Sequence, residues 1–212
     1  MTPDELAARI PRLYHVTDRR SRGLIEREGL LCARSMIERF VSDPEARDRL
    51  VSERRRDFLT LHDGPEGYAA LNDNAPLVFG KLASRLDDGL SPTDWLRILN
   101  GRVFFWPEPQ ERFFAAGRRG GRELLLLTLS TASLARAYEG RLDLAPINTG
   151  SALREPARRG LRTFTPASEV SWDAWRRLRS DVKSSLDQVR ELSIRGDVPD
   201  AAAHFAEPPR PI

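Results

Sequence analysis

The sequence predicts an α+β fold, and three observations carry that prediction. Apolar, β-rich runs of strand length alternate irregularly with capped helix starts, without the regular strand–helix–strand repeat that builds a parallel sheet. The chain has 212 residues, 40% hydrophobic and 31% charged, which suits a domain with a sizeable core rather than a disordered polymer. No apolar run approaches the roughly 20 residues of a membrane span, and the longest, residues 124–127, has the length of a strand.

The elements follow in order. Thr2-Pro3-Asp4-Glu5 is a helix start, and Pro11 ends that helix after Ile10. Leu13-Tyr14-His15-Val16-Thr17 alternates and is β-rich, so it reads as a strand. Ser21 is placed to cap a helix over residues 23–28, closed by Gly29. Residues 33–58 read as two helices divided near Ser42-Asp43-Pro44, and residues 62–67 as a loop. Ser91-Pro92-Thr93-Asp94 starts another helix, which Asn100-Gly101 ends. Val103-Phe104-Phe105-Trp106 is an apolar strand broken by Pro107, and a helix is expected over residues 111–117. Residues 123–130 have the continuous apolar character of a central strand, after which Thr131 caps a helix to Tyr138. An irregular stretch rich in Gly, Pro and Asn runs to Pro166. Residues 172–179 are helical, with Trp172 and Trp175 on one face, and residues 189–194 form the last strand. One domain over residues 1–206 is expected, with residues 207–212 a disordered, proline-rich tail.

Composition narrows the chemistry. Cys32 is the only cysteine and reads as a small core residue; an internal disulfide and a thiolate metal cluster are both ruled out. His15, His62 and His204 are scattered, so no metal is expected. The acidic start Met1-Thr2-Pro3-Asp4-Glu5 lacks the charge and apolar pattern of a signal peptide, which predicts a cytoplasmic protein with no membrane partner. The net charge is +3, and Lys81 and Lys183 are the only lysines. Arginines cluster at 54–56, 118–119, 158–159 and 176–177; they read either as phosphate-contacting groups or as solvated faces balanced by the 31 acidic residues.

Walker loops, G-x-S-x-G elbows, H-E-x-x-H and G-x-G-x-x-G motifs are all missing. What remains are polar residues on apolar strands. His15 lies inside a strand with Thr17 on the same face; it is either a ligand group or a histidine satisfied by backbone. In Val189-Arg190-Glu191-Leu192-Ser193-Ile194, Glu191 shares a face with Val189 and Ser193. A carboxylate there costs stability unless it is paired or faces a cleft, or unless the strand is an edge with Glu191 in water.

The order of these motifs resembles the ADP-ribosyltransferase superfamily. The strand carrying His15, the helix with Leu24-Ile25, the Gly29-Leu30 turn, the aromatic strand Arg102-Val103-Phe104-Phe105-Trp106 and the final Glu191 strand follow its sequence of parts. The chain is most similar to the DarT-type DNA ADP-ribosyltransferase toxins, through Tyr14-His15-Val16-Thr17, the turn Ile147-Asn148-Thr149-Gly150 and Val198-Pro199. It also resembles an uncharacterised bacterial family with L-N-G-R-V-F-F-W and P-I-N-x-G, here residues 99–106 and 146–150. The likeness spans residues 13 to 199. It departs from the pattern at Trp106-Pro107-Glu108-Pro109 and supplies no clear NAD-contacting arginine, for which Arg34 is the candidate.

The resemblance implies a split β-sheet core with helices around it and NAD, as co-substrate, in a cleft between two small sheets. It assigns Glu191 as the catalytic carboxylate and His15 and Thr17 as NAD-anchoring groups. Phe105 or Trp106 becomes the wall beside nicotinamide, against core packing as the plainer role for each. Asn148 either positions an acceptor base or stabilises its turn. A nucleic-acid acceptor, single-stranded DNA foremost, is implied, and with it a cognate antitoxin or hydrolase as partner. Protein acceptors, RNA 2′-phosphotransfer within the same superfamily, and a non-catalytic binding module are the alternatives.

Overall fold

Local sequence chemistry sets most of the element boundaries. The computed structural model describes residues 1–109, 121–153, 155–178 and 189–212. Helix α1 (Pro3–Arg9) begins on a reciprocal capping box, in which Thr2 accepts from the Glu5 amide and Glu5 from the Thr2 amide. Strand β1 (Arg12–Asp18) leads through a short 3-10 turn into α2 (Arg22–Glu28), where Ser21 makes no side-chain cap. Gly29 closes α2 at φ 76° and ψ −158°, a region open to glycine alone. A Cβ there would lie 2.0 Å from the Val198 carbonyl oxygen, so Gly29 also lets two chain segments meet.

Helices α3 (Ala33–Phe40) and α4 (Pro44–Ser52) are divided where expected, with Asp43 capping two amides of α4 ahead of Pro44. The expected loop at residues 62–67 is instead the turn and adjoining strand ends of a hairpin, β2 (Leu59–Gly64) and β3 (Gly67–Leu71). Gly67, at φ 114°, permits the tight reversal. The outer strand is half-buried to exposed, so hydrophobic alternation did not announce it. The short α5 (Phe79–Ala83) precedes α6 (Pro92–Asn100), which starts on a second capping box, Ser91 with Asp94. Strand β4 (Arg102–Phe105) follows. The helix expected at residues 111–117 lies outside the described residues.

Strand β5 (Leu124–Ser130) is the buried centre of its sheet, paired with β1 and β9. Ser130, rather than Thr131, caps α7 (Thr131–Ala137) by accepting from the Ser133 amide. The stretch expected to be irregular up to Pro166 contains β6 (Leu142–Ala145) and the two-residue β7 (Thr165–Pro166). Helix α8 (Trp172–Leu178) puts Trp175 in the core and Trp172 against it. Strand β8 (Glu191–Arg195) completes a four-stranded sheet in the order β4-β8-β6-β7.

The tail is not disordered. Phe205–Pro211 forms β9 along β5, with Leu125 opposite Pro211 and Thr128 opposite Glu207. Its prolines are compatible with an edge strand, and two register shifts absorb the donors they lack.

The architecture is α+β, with three antiparallel sheets of three, two and four strands among the described residues. One core lies under both larger sheets, joining Leu13, Leu127 and Leu129 to Val103, Phe105, Leu192 and Ile194. A second core, around Trp95, Leu96 and Phe164, covers the opposite face of the four-stranded sheet at Ala145 and Phe104. The two larger sheets meet at an isolated bridge, where Tyr14 and Trp106 exchange both backbone hydrogen bonds at 2.9 Å.

Candidate functional site around Glu191

The sheets part at that bridge, and His15 stands in the fork. Because Trp106 turns its amide and carbonyl toward β1, alternation points the Phe104 carbonyl the same way. No β1 ladder reaches it among the described residues; the His15 imidazole does, with Nδ1 2.9 Å from the Phe104 oxygen. A carbonyl only accepts, so Nδ1 carries the proton and Nε2 is left as an acceptor in the neutral ring. Burial pushes the His15 pKa down, which keeps the ring neutral, while the Phe104 bond opposes that shift. His15 is therefore a histidine satisfied by backbone whose second nitrogen stays chemically available.

Glu191 begins β8 on the other side of β4. The register ends with Phe105 opposite Leu192, and Trp106 continues the chain past the ladder toward the start of β8. Trp106 thus lies between the two strands, and two strand spacings amount to about 10 Å. Strand parity turns the side chains differently. The His15 ring lies 5.9 Å from that of Phe105, on the face of the first core. Glu191 projects with Phe104 and Ala145 toward the second core.

Glu191 is 6% exposed. Its Oε2 accepts from the Thr149 amide at 3.1 Å and from Thr149 Oγ1 at 2.7 Å. Burial drives its pKa up to about 7, against the lowering effect of the two Thr149 bonds and of the Arg159 charge. The Thr149 carbonyl is itself held by Trp95 Nε1 and Arg159 Nη1, each at 3.2 Å. A buried carboxyl that titrates near neutrality can exchange a proton or carry a negative charge with little change in surroundings, as an acid–base group requires.

His15 and Glu191 thus face opposite sides of the four-stranded sheet rather than a common crevice, and the other expected site residues disperse as well. Thr17 is half-buried on β1, two positions along from His15 and opposite Leu125. Phe105 is fully buried in the first core, so it packs rather than offering a wall to a ligand. Trp106 is half-buried at the junction. Asn148 is exposed, and its neighbour Thr149 makes the contact with Glu191. Arg34 donates to the Arg97 carbonyl at 3.1 Å and lies against Gly101. Gly101 adjoins the Arg102–Arg195 end of the ladder, four residues along β8 from Glu191, or about 13 Å. The structure does not bring Arg34 to Glu191.

Thr149, Arg159 and Trp95 are the residues that sequence reasoning missed. Thr149 sat in the turn already singled out, one place from Asn148. Arg159 was hidden in an arginine pair, and nothing in the spacing of Trp95 sets it apart from an ordinary core tryptophan. Several clustered arginines serve the fold: Arg54 donates to Ala75, Arg55 to Leu50 and Asn100, and Arg158 pairs with Asp87. Beside Glu191, Arg102 donates to Asp143 at 2.5 Å and to Ser193 at 3.1 Å, a buried pair that Arg195 extends.

No group of three or more His, Cys, Asp or Glu suited to a metal occurs among the described residues, and no helix among them is long and apolar enough to cross a membrane. A shallow depression lined by Met1, Leu6, Ala135 and Leu142 includes none of the candidate site residues. A family model described as a family of unknown function, DUF7002, matches residues 11–205. No curated protein and no solved structure matches the chain.

Proposed function

The chain belongs to this family of unknown function, and we propose that it is an NAD-dependent mono-ADP-ribosyltransferase, built on an ADP-ribosyltransferase-type split sheet, that modifies a nucleic-acid base. The observation that carries the reading is Glu191, a buried carboxyl raised to about 7 whose Oε2 is held by the amide and hydroxyl of Thr149. His15 and Glu191 stand on either side of Trp106, but their side chains lie on opposite faces of the four-stranded sheet, His15 with the first core and Glu191 with the second, so they do not line a common crevice.

In this reading His15 Nε2 and Thr17 meet the ligand only where it passes around the end of β4, because they lie on the face opposite Glu191. Trp106, rather than the core residue Phe105, lies against the nicotinamide. The bond between nicotinamide and ribose breaks with its electron pair going to the ring nitrogen, which leaves an oxocarbenium-like sugar. Glu191 accepts from a ribose hydroxyl and offsets the developing charge. The acceptor nitrogen then bonds to the anomeric carbon and gives up its proton, to Glu191 or to solvent. A cationic nicotinamide near Glu191 favours its ionised form, so binding draws the carboxyl below about 7. Arg34 has no part in this scheme.

DNA is the acceptor proposed first, and a protein side chain second. The second is favoured by the commitment of Arg54, Arg55, Arg158 and Arg159 to internal bonds, which leaves less cationic surface for a phosphate backbone. For a DNA-modifying enzyme a restraining antitoxin or a reversing hydrolase is the partner proposed.

The test incubates the chain with labelled NAD and with single-stranded oligonucleotides or a mixture of proteins, beside Glu191→Gln and His15→Ala. Label transfer or nicotinamide release that disappears in Glu191→Gln is expected. Unchanged turnover in that variant, or no NAD binding by the native chain, overturns the proposal.

A further inference from the structure

Arg159 is 3% exposed, and its main chain is locked from both directions. Its amide donates to the Arg85 carbonyl and its own carbonyl accepts from the Asp87 amide, each at 2.9 Å. The next residues are pinned as tightly. The Leu161 amide donates to Asp88 Oδ2 at 2.8 Å, and Asp88 holds the left-handed conformation at φ 60°. A Cβ on Gly160 would lie 2.3 Å from that same oxygen. Such a backbone delivers its guanidinium to one place.

At that place the group bonds carbonyls, Ala157 at Nε, and Thr149 and Ser151 at Nη1, at 3.0–3.2 Å, and lies 5.9 Å from the centre of the Trp95 ring. A buried cation with neutral acceptors alone is expensive unless an anion lies within range. Glu191 is that anion, and each group's charge favours the charge of the other. Facing Glu191, α6 offers Trp95 and β6 offers Ala145, and farther along the same face stands the buried Arg102–Asp143 pair, whose charges oppose one another.

We propose that Arg159, acting through the Thr149 peptide, positions and polarises the Glu191 carboxylate. Its guanidinium grips the Thr149 carbonyl, while the amide and hydroxyl of that residue hold Oε2. One end of the peptide is tied to the cation and the other to the anion. Arg159 is a positioning residue and touches no substrate. Its importance for turnover rests on Glu191 being the reacting carboxylate, whereas the linkage itself does not.

The test is a carboxyl-carbon NMR titration of the full chain labelled at glutamate, with thermal melts run in parallel, for the native protein, Arg159→Met and Arg159→Lys. The Glu191 midpoint is expected to rise from about 7 to about 8 in Arg159→Met, the lower end of the effect of losing a neighbouring opposite charge. Arg159→Lys, which keeps the charge, is expected to stay near the native midpoint. Where Arg159→Met does not fold, Arg159→Gln, which retains an amide donor for the Thr149 carbonyl, carries the same expectation. A folded Arg159→Met or Arg159→Gln with the native midpoint overturns the proposal and leaves Arg159 as loop scaffold. So does a Lys variant shifted as far as the Met variant. The titration contains neither NAD nor acceptor, so its outcome is independent of whether the chain transfers ADP-ribose.

Discussion

Replacing Glu191 by glutamine isolates the cost of holding an ionisable group in the second core. The ordinary glutamate value is 4.5, and burial raises it to about 7 in the folded chain. Between those values the folded state binds more protons than the unfolded state, so this group's contribution to stability falls as pH rises and levels off above about 7. With 1.36 kcal/mol for each tenfold change, the cost of the ionised side chain is about 1 kcal/mol at pH 5 and about 3 kcal/mol at pH 8. Glutamine carries no proton to lose and keeps an oxygen for the Thr149 amide and hydroxyl. Its stability relative to the native chain should therefore improve by about 2–3 kcal/mol between pH 5 and pH 8. Urea unfolding of both proteins at the two pH values measures this double difference, in which all other titrating groups cancel. A difference that does not change with pH would show that Glu191 titrates normally, and the argument for a neutral-range acid–base group would fail with it.

Two further predictions concern the frame around the site. Asp143, 2% exposed, is the shared counter-charge of Arg102 and Arg195; Asp143→Asn should cost about 3–5 kcal/mol, read as a lowered urea midpoint with an unchanged slope. Gly29→Ala combines a backbone region closed to other residues with an overlap on Val198 and Pro199; a loss of about 3 kcal/mol or more is expected by thermal melting.

Elements with one dominant signal were legible before any coordinates. The run from Leu124 to Leu129 could only be a central strand, and Thr2 and Ser91 announced their helices through partners three residues later. Strand parity singled out Glu191, because a carboxylate between Val189 and Ser193 demanded an explanation, and burial with two bonds to Thr149 supplies it. Strand β6 went unseen since Asp143 interrupts its apolar run, and its apolar surroundings depend on β8, fifty residues later. The hairpin was hidden by polar residues, whose placement owes more to contacts such as Phe40 on His62 than to alternation. Arg159 could not be separated from its neighbour Arg158, one buried and the other paired at the surface, because adjacent letters carry no information about which side faces inward. Arg34 carried a different signal. Its position after a glycine turn invited a ligand role, yet its guanidinium reaches the last turn of α6.

The closing strand also governs how the molecule meets copies of itself. Three of the seven residues of β9, Pro208, Pro209 and Pro211, have no amide hydrogen. The three-stranded sheet therefore ends on a rim poor in donors, and an approaching extended segment finds few partners with which to lengthen it. A leucine-rich strand that would otherwise template cross-chain pairing is sheathed by a segment that cannot pass that templating on.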